Sequence, residues 1–208
     1  MNARLHGLYV ITDAQHCAER GLPESVAATL RGGARLVQYR DKSNDHGRRL
    51  DEVRQLFALC EQHDAQLIVN DDVELARHAH GVHLGRDDMN PERARRVLGR
   101  NAIVGISCYD DFALAEAAMR TGANYAAFGS VFPSPTKPDA VRAPLELFQR
   151  AREELAIPVC AIGGINRNNI HDIVHAGADM IAVVSAVFAA DDIEMATREL
   201  VDAARKAR

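Results

Sequence analysis

Eight short apolar runs, each followed by a stretch with helical apolar spacing, succeed one another along this chain, and that alternation leaves few folds open to it. The runs are residues 8–12, 36–40, 66–69, 81–84, 103–107, 125–128, 158–162 and 180–184. They are nearly continuous in apolar character, as expected of strands covered by helices on their outer face in a parallel sheet. The intervening helices are expected over 23–32, 48–63, a short piece through Arg77, then 91–98, 112–120, 144–155, 167–175 and 193–204. Within them Val26, Ala27 and Leu30, or Leu50, Val53, Leu56, Phe57 and Cys60, recur at spacings of three and four. No linker or low-complexity segment interrupts the pattern, so residues 1–208 are expected to form one domain. Eight strand-helix units predict an α/β fold of the closed (β/α)8 TIM-barrel type. An open doubly wound sheet is the alternative, but no G-x-G-x-x-G follows the first strand.

In such a barrel the carboxyl ends of all strands meet at one mouth, so polar residues there converge from distant points of the chain. The second strand offers Gln38, Arg40 and Lys42, the first two sharing a face and Lys42 continuing it if the backbone stays extended. Asn70 and Asp71 follow the third strand, Asp88 the fourth, and Ser107 closes the fifth. The sixth delivers Ser134, Thr136 and Lys137 in a loop with three prolines, where two hydroxyls and a flexible cation suit an anion such as phosphate. Gly163-Gly164-Ile165 and Val184-Ser185-Ala186 follow strands seven and eight, where barrels often hold phosphate on backbone N–H groups. The carboxylates Asp71 and Asp88 suit a hard, partly hydrated cation, for which magnesium is the natural choice. Cations, carboxylates and glycine-hydroxyl groups thus form separate sets, and two anion sites imply two phosphorylated ends, which fit two substrates.

Plainer roles exist for some of these residues. Acidic residues after strands cap helices, which suits Asp72 and Asp87, and Gly163-Gly164 also reads as a tight strand exit. His83, inside a strand, reads as a satisfied core histidine, and no Ser-His-Asp or Cys-His spacing is present.

The net charge of -4, with 26% charged residues, offers no basic excess for nucleic acid, so any phosphate recognition must be local. The four cysteines lie far apart, which fits a reducing cytosol. Residues 1–6 carry no apolar h-region and no run of eighteen apolar residues occurs, so neither export nor membrane spanning is expected.

The chain resembles the thiamin-phosphate synthase family over nearly its whole length, from Gly7-Leu8-Tyr9-Val10-Ile11-Thr12-Asp13 to Val184-Ser185-Ala186. The motifs that carry the resemblance are Val37-Gln38-Tyr39-Arg40-Asp41-Lys42, Ile68-Val69-Asn70-Asp71, residues 81–88, residues 129–137 and Ala161-Ile162-Gly163-Gly164-Ile165. The resemblance implies a cytoplasmic transferase that joins 4-amino-5-hydroxymethyl-2-methylpyrimidine diphosphate to hydroxyethylthiazole phosphate, or its carboxylated form, releasing diphosphate in a magnesium-assisted, dissociative reaction. It implies that Gln38, Arg40, Lys42, Asn70, Ser107 and Lys137 hold the pyrimidine diphosphate, with Arg40, Lys42, Ser107 and Lys137 acting in catalysis. Asp71 and Asp88 would ligate Mg2+, with Asp87 the alternative to Asp88. Ser134, Thr136, Gly164, Val184 and Ser185 would receive the thiazole phosphate. The partners are two small phosphorylated molecules, with no nucleic acid or membrane, and a homo-oligomer is compatible. Arg86 and Ser134 depart from the usual glutamine and threonine. A thiazole tautomerase, in which His83 would matter more, and a non-catalytic sensor of a thiamin precursor are the competing readings.

Overall fold

The computed structural model describes residues 5–133 and 141–208. Eight parallel strands run in sequence order around a closed barrel: β1 (Gly7–Ile11), β2 (Leu36–Tyr39), β3 (Gln66–Asn70), β4 (Gly81–Leu84), β5 (Ile103–Tyr109), β6 (Tyr125–Gly129), β7 (Val159–Ile162) and β8 (Met180–Val183). Closure is made by β1 on β8, with Gly7 opposite Met180 and Val10 opposite Val183. The expected (β/α)8 barrel is the observed fold.

Helices cover the outer face: α1 (Ala14–Cys17), α2 (Leu22–Arg31), α3 (His46–Gln62), α4 (Pro91–Leu98), α5 (Phe112–Arg120), α6 (Leu145–Glu154), α7 (Ile170–Ala176), α8 (Ser185–Phe188) and α9 (Ile193–Lys206), with a 3-10 turn at Leu75–His78. Asp45, Asp111 and Asp192 cap α3, α5 and α9 by accepting bonds from the first-turn amides. The four-residue α1 and α8 escape the sequence pattern because they span barely one turn, too little for an apolar period to repeat. α7 begins at Ile170 rather than 167 because Asn166 and Asn169 bond the local amides of Asn168 and Asn166, holding that segment in turns.

The two-residue strand period divides the core. Leu8, Val10, Val37, Leu67, Val82 and Phe128 face the helices, with Phe128 meeting Phe148 of α6 edge-on at 5.7 Å between ring centroids. Tyr9, Ile11, Leu36, Ile68, Ile103, Tyr125, Cys160 and Met180 fill the inside. Gly105 makes room there: a Cβ at that position would lie 2.0 Å from the Tyr125 ring, so only glycine admits the tyrosine across β5.

At the amino end, Arg95 of α4 gathers the chain ahead of two strands. It donates to the carbonyls of Gly99, Arg100 and Ala102, to the Gly122 carbonyl at 3.0 Å and to Asn124 Oδ1 at 2.6 Å. Asn124 Oδ1 in turn accepts from the Val104 amide at 2.8 Å. This face is structural, and the polar residues of interest lie at the opposite end.

Candidate active site

The carboxyl ends of β2, β3 and β4 bring Lys42, Asp71 and Asp88 together. Lys42 Nζ donates directly to Asp71. Asp71 sits at φ 64° in the left-handed region, a conformation that costs a non-glycine residue energy and that its surroundings must hold in place. Its amide donates to the His83 carbonyl at 2.8 Å, which fixes it against β4. Burial would raise the Asp71 pKa, but the Lys42 ammonium and a hydrogen bond from the Asp88 carboxyl more than offset this and hold it below its ordinary value. Asp88 moves the other way: burial and the Asp71 carboxylate push it up, against the Gly85 amide that donates to it at 2.6 Å. Two neighbouring carboxyl groups whose pKa values are pushed apart form a site where a hard cation would relieve like-charge repulsion. Asn70, half-buried at the end of β3, adds an amide oxygen. Among the described residues no group of three or more His, Cys, Asp or Glu is gathered for a metal. Two carboxylates and an amide oxygen are hard donors of the kind that magnesium takes alongside water and ligand oxygens. Asp87 is exposed, and Asp72 serves as a cap, accepting from the Leu75 amide at 3.0 Å and from Arg49 at 3.0 Å.

The face shared by Gln38 and Arg40 is not continued by Lys42, because β2 ends at Tyr39 and its alternation does not extend that far. Gln38 points into the barrel, 3% exposed, while Arg40 stands half-buried at the rim, its amide donating to Thr12 Oγ1 at 2.9 Å. Lys42 turns across to Asp71 instead of continuing their face. Segment 41–47 is tied to α3 by Arg48, which donates to Asp41 at 2.7 Å and to Ser43 Oγ at 2.8 Å. Between this segment and residues 70–72 lies a cleft of about 250 Å³, with Arg49 in its wall.

Across the mouth, residues 131–133 after β6 are laid on the exit of β7. Val131 N donates to Ile162 O and Phe132 N to Gly163 O, each at 3.0 Å. Gly164 has φ +66°, and a Cβ there would lie 2.3 Å from the Pro133 carbonyl oxygen, so the glycine pair is required both by the turn and by the neighbouring loop. The Gly164 carbonyl is held by Asn169 Nδ2 at 3.1 Å. Val184 precedes α8 as its N-cap, and Ser185 opens that helix half-buried. Ser134, Thr136 and Lys137 lie outside the described residues. Arg86 packs over the Tyr109 ring with its guanidinium carbon 4.8 Å from the centroid.

Sequence reasoning missed a polar file inside the barrel. Gln38 Nε2 donates to Tyr9 Oη at 2.8 Å, the Tyr9 and Tyr125 hydroxyls are 3.0 Å apart, and Tyr125 Oη lies 2.9 Å from His83 Nδ1. His83 Nε2 then meets Ser107 Oγ at 2.9 Å. Burial presses the His83 pKa down to about 4 despite the opposing pull of Asp71, so the imidazole is neutral near pH 7. The available signal was parity: buried tyrosines need partners for their hydroxyls, and both share the inward face with His83 and Ser107.

Residues 8–187 match the thiamine monophosphate synthase family. The chain belongs to that family. As a thiamine monophosphate synthase family member it is an enzyme, a transferase of thiamine biosynthesis. It is 57% identical over 199 residues to the thiamine-phosphate synthase of Thioalkalivibrio sulfidiphilus, covering 95% of this chain and 94% of the relative. It is 52% identical over 201 residues to that of Halorhodospira halophila, covering 96% and 94%. Among solved structures, the thiamine phosphate pyrophosphorylase of Pyrococcus furiosus superposes with a TM-score of 0.90 at 38% identity, covering 99% of each chain.

Proposed function

We propose that this chain, as a single catalytic domain over residues 1–208, joins 4-amino-5-hydroxymethyl-2-methylpyrimidine diphosphate to hydroxyethylthiazole phosphate at the mouth of the barrel. The observation that carries the reading is the group formed by Lys42, Asp71 and Asp88, a cation bonded to one of two neighbouring carboxyl groups that oppose each other's ionisation. Such a group suits a diphosphate bound with Mg2+, the metal ligated by Asp71 and Asp88. Bound there, magnesium would supply positive charge to the departing diphosphate.

In this reading Gln38, Asn70 and Ser107 hold the pyrimidine, and Arg40, Lys42 and Lys137 hold its diphosphate. The C–O bond to the pyrimidine methylene breaks with its electron pair leaving on diphosphate, where the cationic side chains offset the growing charge. The amino-substituted ring delocalises the resulting positive charge until the thiazole nitrogen forms the new C–N bond. No side chain has to act as nucleophile or general base. Water must be kept from the cation, which gives the loops after β2 and β6 their task. Ser134, Thr136, Gly164, Val184 and Ser185 receive the thiazole phosphate, and a carboxylated thiazole would additionally lose carbon dioxide. The enzyme acts in the cytoplasm on two small molecules, with neither nucleic acid nor membrane as partner, and a homo-oligomer is compatible with it. A one-substrate thiazole isomerase would leave the Lys42, Asp71 and Asp88 group without a ligand.

The test is turnover. Purified protein given both phosphorylated precursors and magnesium should yield thiamine phosphate and diphosphate, followed by mass spectrometry. Confirmed binding of both without product would overturn the reading and favour a sensor. Asp71→Ala should lower magnesium-dependent turnover about a hundredfold while leaving thiazole phosphate binding nearly intact. Unchanged turnover would remove Asp71 from the metal site.

A further inference from the structure

The internal file has a direction that hydrogen counting fixes. An amide nitrogen only donates, so Tyr9 Oη accepts from Gln38 and still has its own proton to place. Among the described residues the acceptor within reach is Tyr125 Oη, so Tyr9 donates to it. Tyr125, with the Tyr9 proton on its oxygen, must place its own on His83 Nδ1. That nitrogen is therefore bare, the ring proton sits on Nε2, and Nε2–H donates to Ser107 Oγ. A doubly protonated ring would leave one tyrosine O–H without an acceptor, at residues 1% and 0% exposed, where an unmade bond is costly. Ser107 thus has a lone pair engaged and its own O–H unspent. It stands at the open end of the file, half-buried, where β5 approaches the mouth.

We propose that Tyr9, Tyr125 and His83 are positioning residues that act in series to present Ser107 as a hydrogen-bond donor to the substrate. Five strands contribute, β2, β1, β6, β4 and β5 in order along the file, so the setting at the mouth is determined deep inside the barrel. The ligand group that matches is a neutral acceptor such as a ring nitrogen of an aminopyrimidine. The corresponding oxo-pyrimidine, protonated at the ring nitrogen beside its carbonyl, brings a donor against a donor at that position. The identity of the ligand rests on the function proposed above, whereas the direction of the file stands on the ligand-free protein.

The two are tested separately. In ligand-free enzyme labelled with 15N at histidine, His83, assigned by the signals lost in His83→Gln, should be a neutral ring protonated at Nε2. Protonation at Nδ1 would overturn the proposal. Gln38→Glu presents only acceptors to Tyr9, so every bond should reverse and the ring proton should move to Nδ1. Tyr125→Phe should release the ring into a mixture of both forms. In turnover, Tyr125→Phe should lower kcat/KM for the pyrimidine diphosphate about tenfold with KM for thiazole phosphate unchanged. A ring that stays protonated at Nε2 in both variants, or a Tyr125→Phe enzyme with unaltered kcat/KM, would show that the file positions nothing. Failure of all two-substrate turnover would instead count against the proposed function, and the tautomer measurements would still decide the direction of the file.

Discussion

Single carboxylates do different work at the barrel mouth according to what surrounds them. Asp71 and Asp88 are set against each other, whereas Asp41 is fully committed to structure, its side chain 7% exposed and bonded to Arg48 and to the Ser43 amide. Burial alone would raise the Asp41 pKa, but Ser43 and the Arg48 guanidinium outweigh it and hold the carboxyl below its ordinary value. A depressed pKa means that the ionised form stabilises the fold. That contribution is complete above the unfolded pKa and is lost as pH falls through the folded one. Asp41→Asn should therefore cost about 1–2 kcal/mol at neutral pH. Its deficit against the parent should close only as pH drops below the ordinary aspartate value of about 3.9. Urea midpoints measured across pH check this, and a deficit independent of pH would show that Arg48 and Ser43 do not act on the ionised carboxylate.

At the scale of elements, residues 131–133 after β6 and the exit of β7 form one unit, and Gly164 packs against them. Alanine there meets both a left-handed backbone and the Pro133 oxygen, so Gly164→Ala should lose about 2–3 kcal/mol and raise KM for thiazole phosphate about tenfold. Gly99→Ala is the control, because φ there is +87° but nothing lies within 4 Å of the added carbon, and it should cost only about 1 kcal/mol. Equal losses in thermal melts would reduce the Gly164 effect to backbone strain. The same elements show what a sequence can disclose. Strands and long helices were legible because their periodicity is local, and the strand-end residues could be assembled into a mouth once the barrel was inferred. The pairing of Lys42 with Asp71 and the Tyr9–Tyr125 contact were not, since 29 and 116 residues separate the partners and both tyrosines read as ordinary strand residues. That Asp88 rather than Asp87 stands beside Asp71 could not be read from spacing either. It depends on the Gly85 turn that carries Asp88 to Asp71.

Across the whole molecule, closure of β1 on β8 gives the barrel two ends with different duties, and the division can be measured. Arg95 draws together the segments before β5 and β6 at the amino end, while Ser107, further along β5, faces the mouth. Arg95→Met keeps most of the side-chain volume but leaves several carbonyls and Asn124 Oδ1 without their shared donor, at a cost of about 2–4 kcal/mol. In a chain of this size that lowers Tm by about 5–15 °C. Because the change lies at the end remote from the mouth, kcat well below the new midpoint should match the parent. Ser107→Ala should act on turnover as well as on stability. It leaves the His83 Nε2–H without its serine acceptor, at a cost of about 1–3 kcal/mol, and kcat/KM for the pyrimidine diphosphate should also fall about tenfold or more, because the file then ends on a methyl group. Thermal melts and two-substrate kinetics on both variants form the cross. If Arg95→Met lowered kcat far below its melting temperature, the amino end would be coupled to the chemistry through β5, and the separation of stability from catalysis along the barrel axis would fail for this chain.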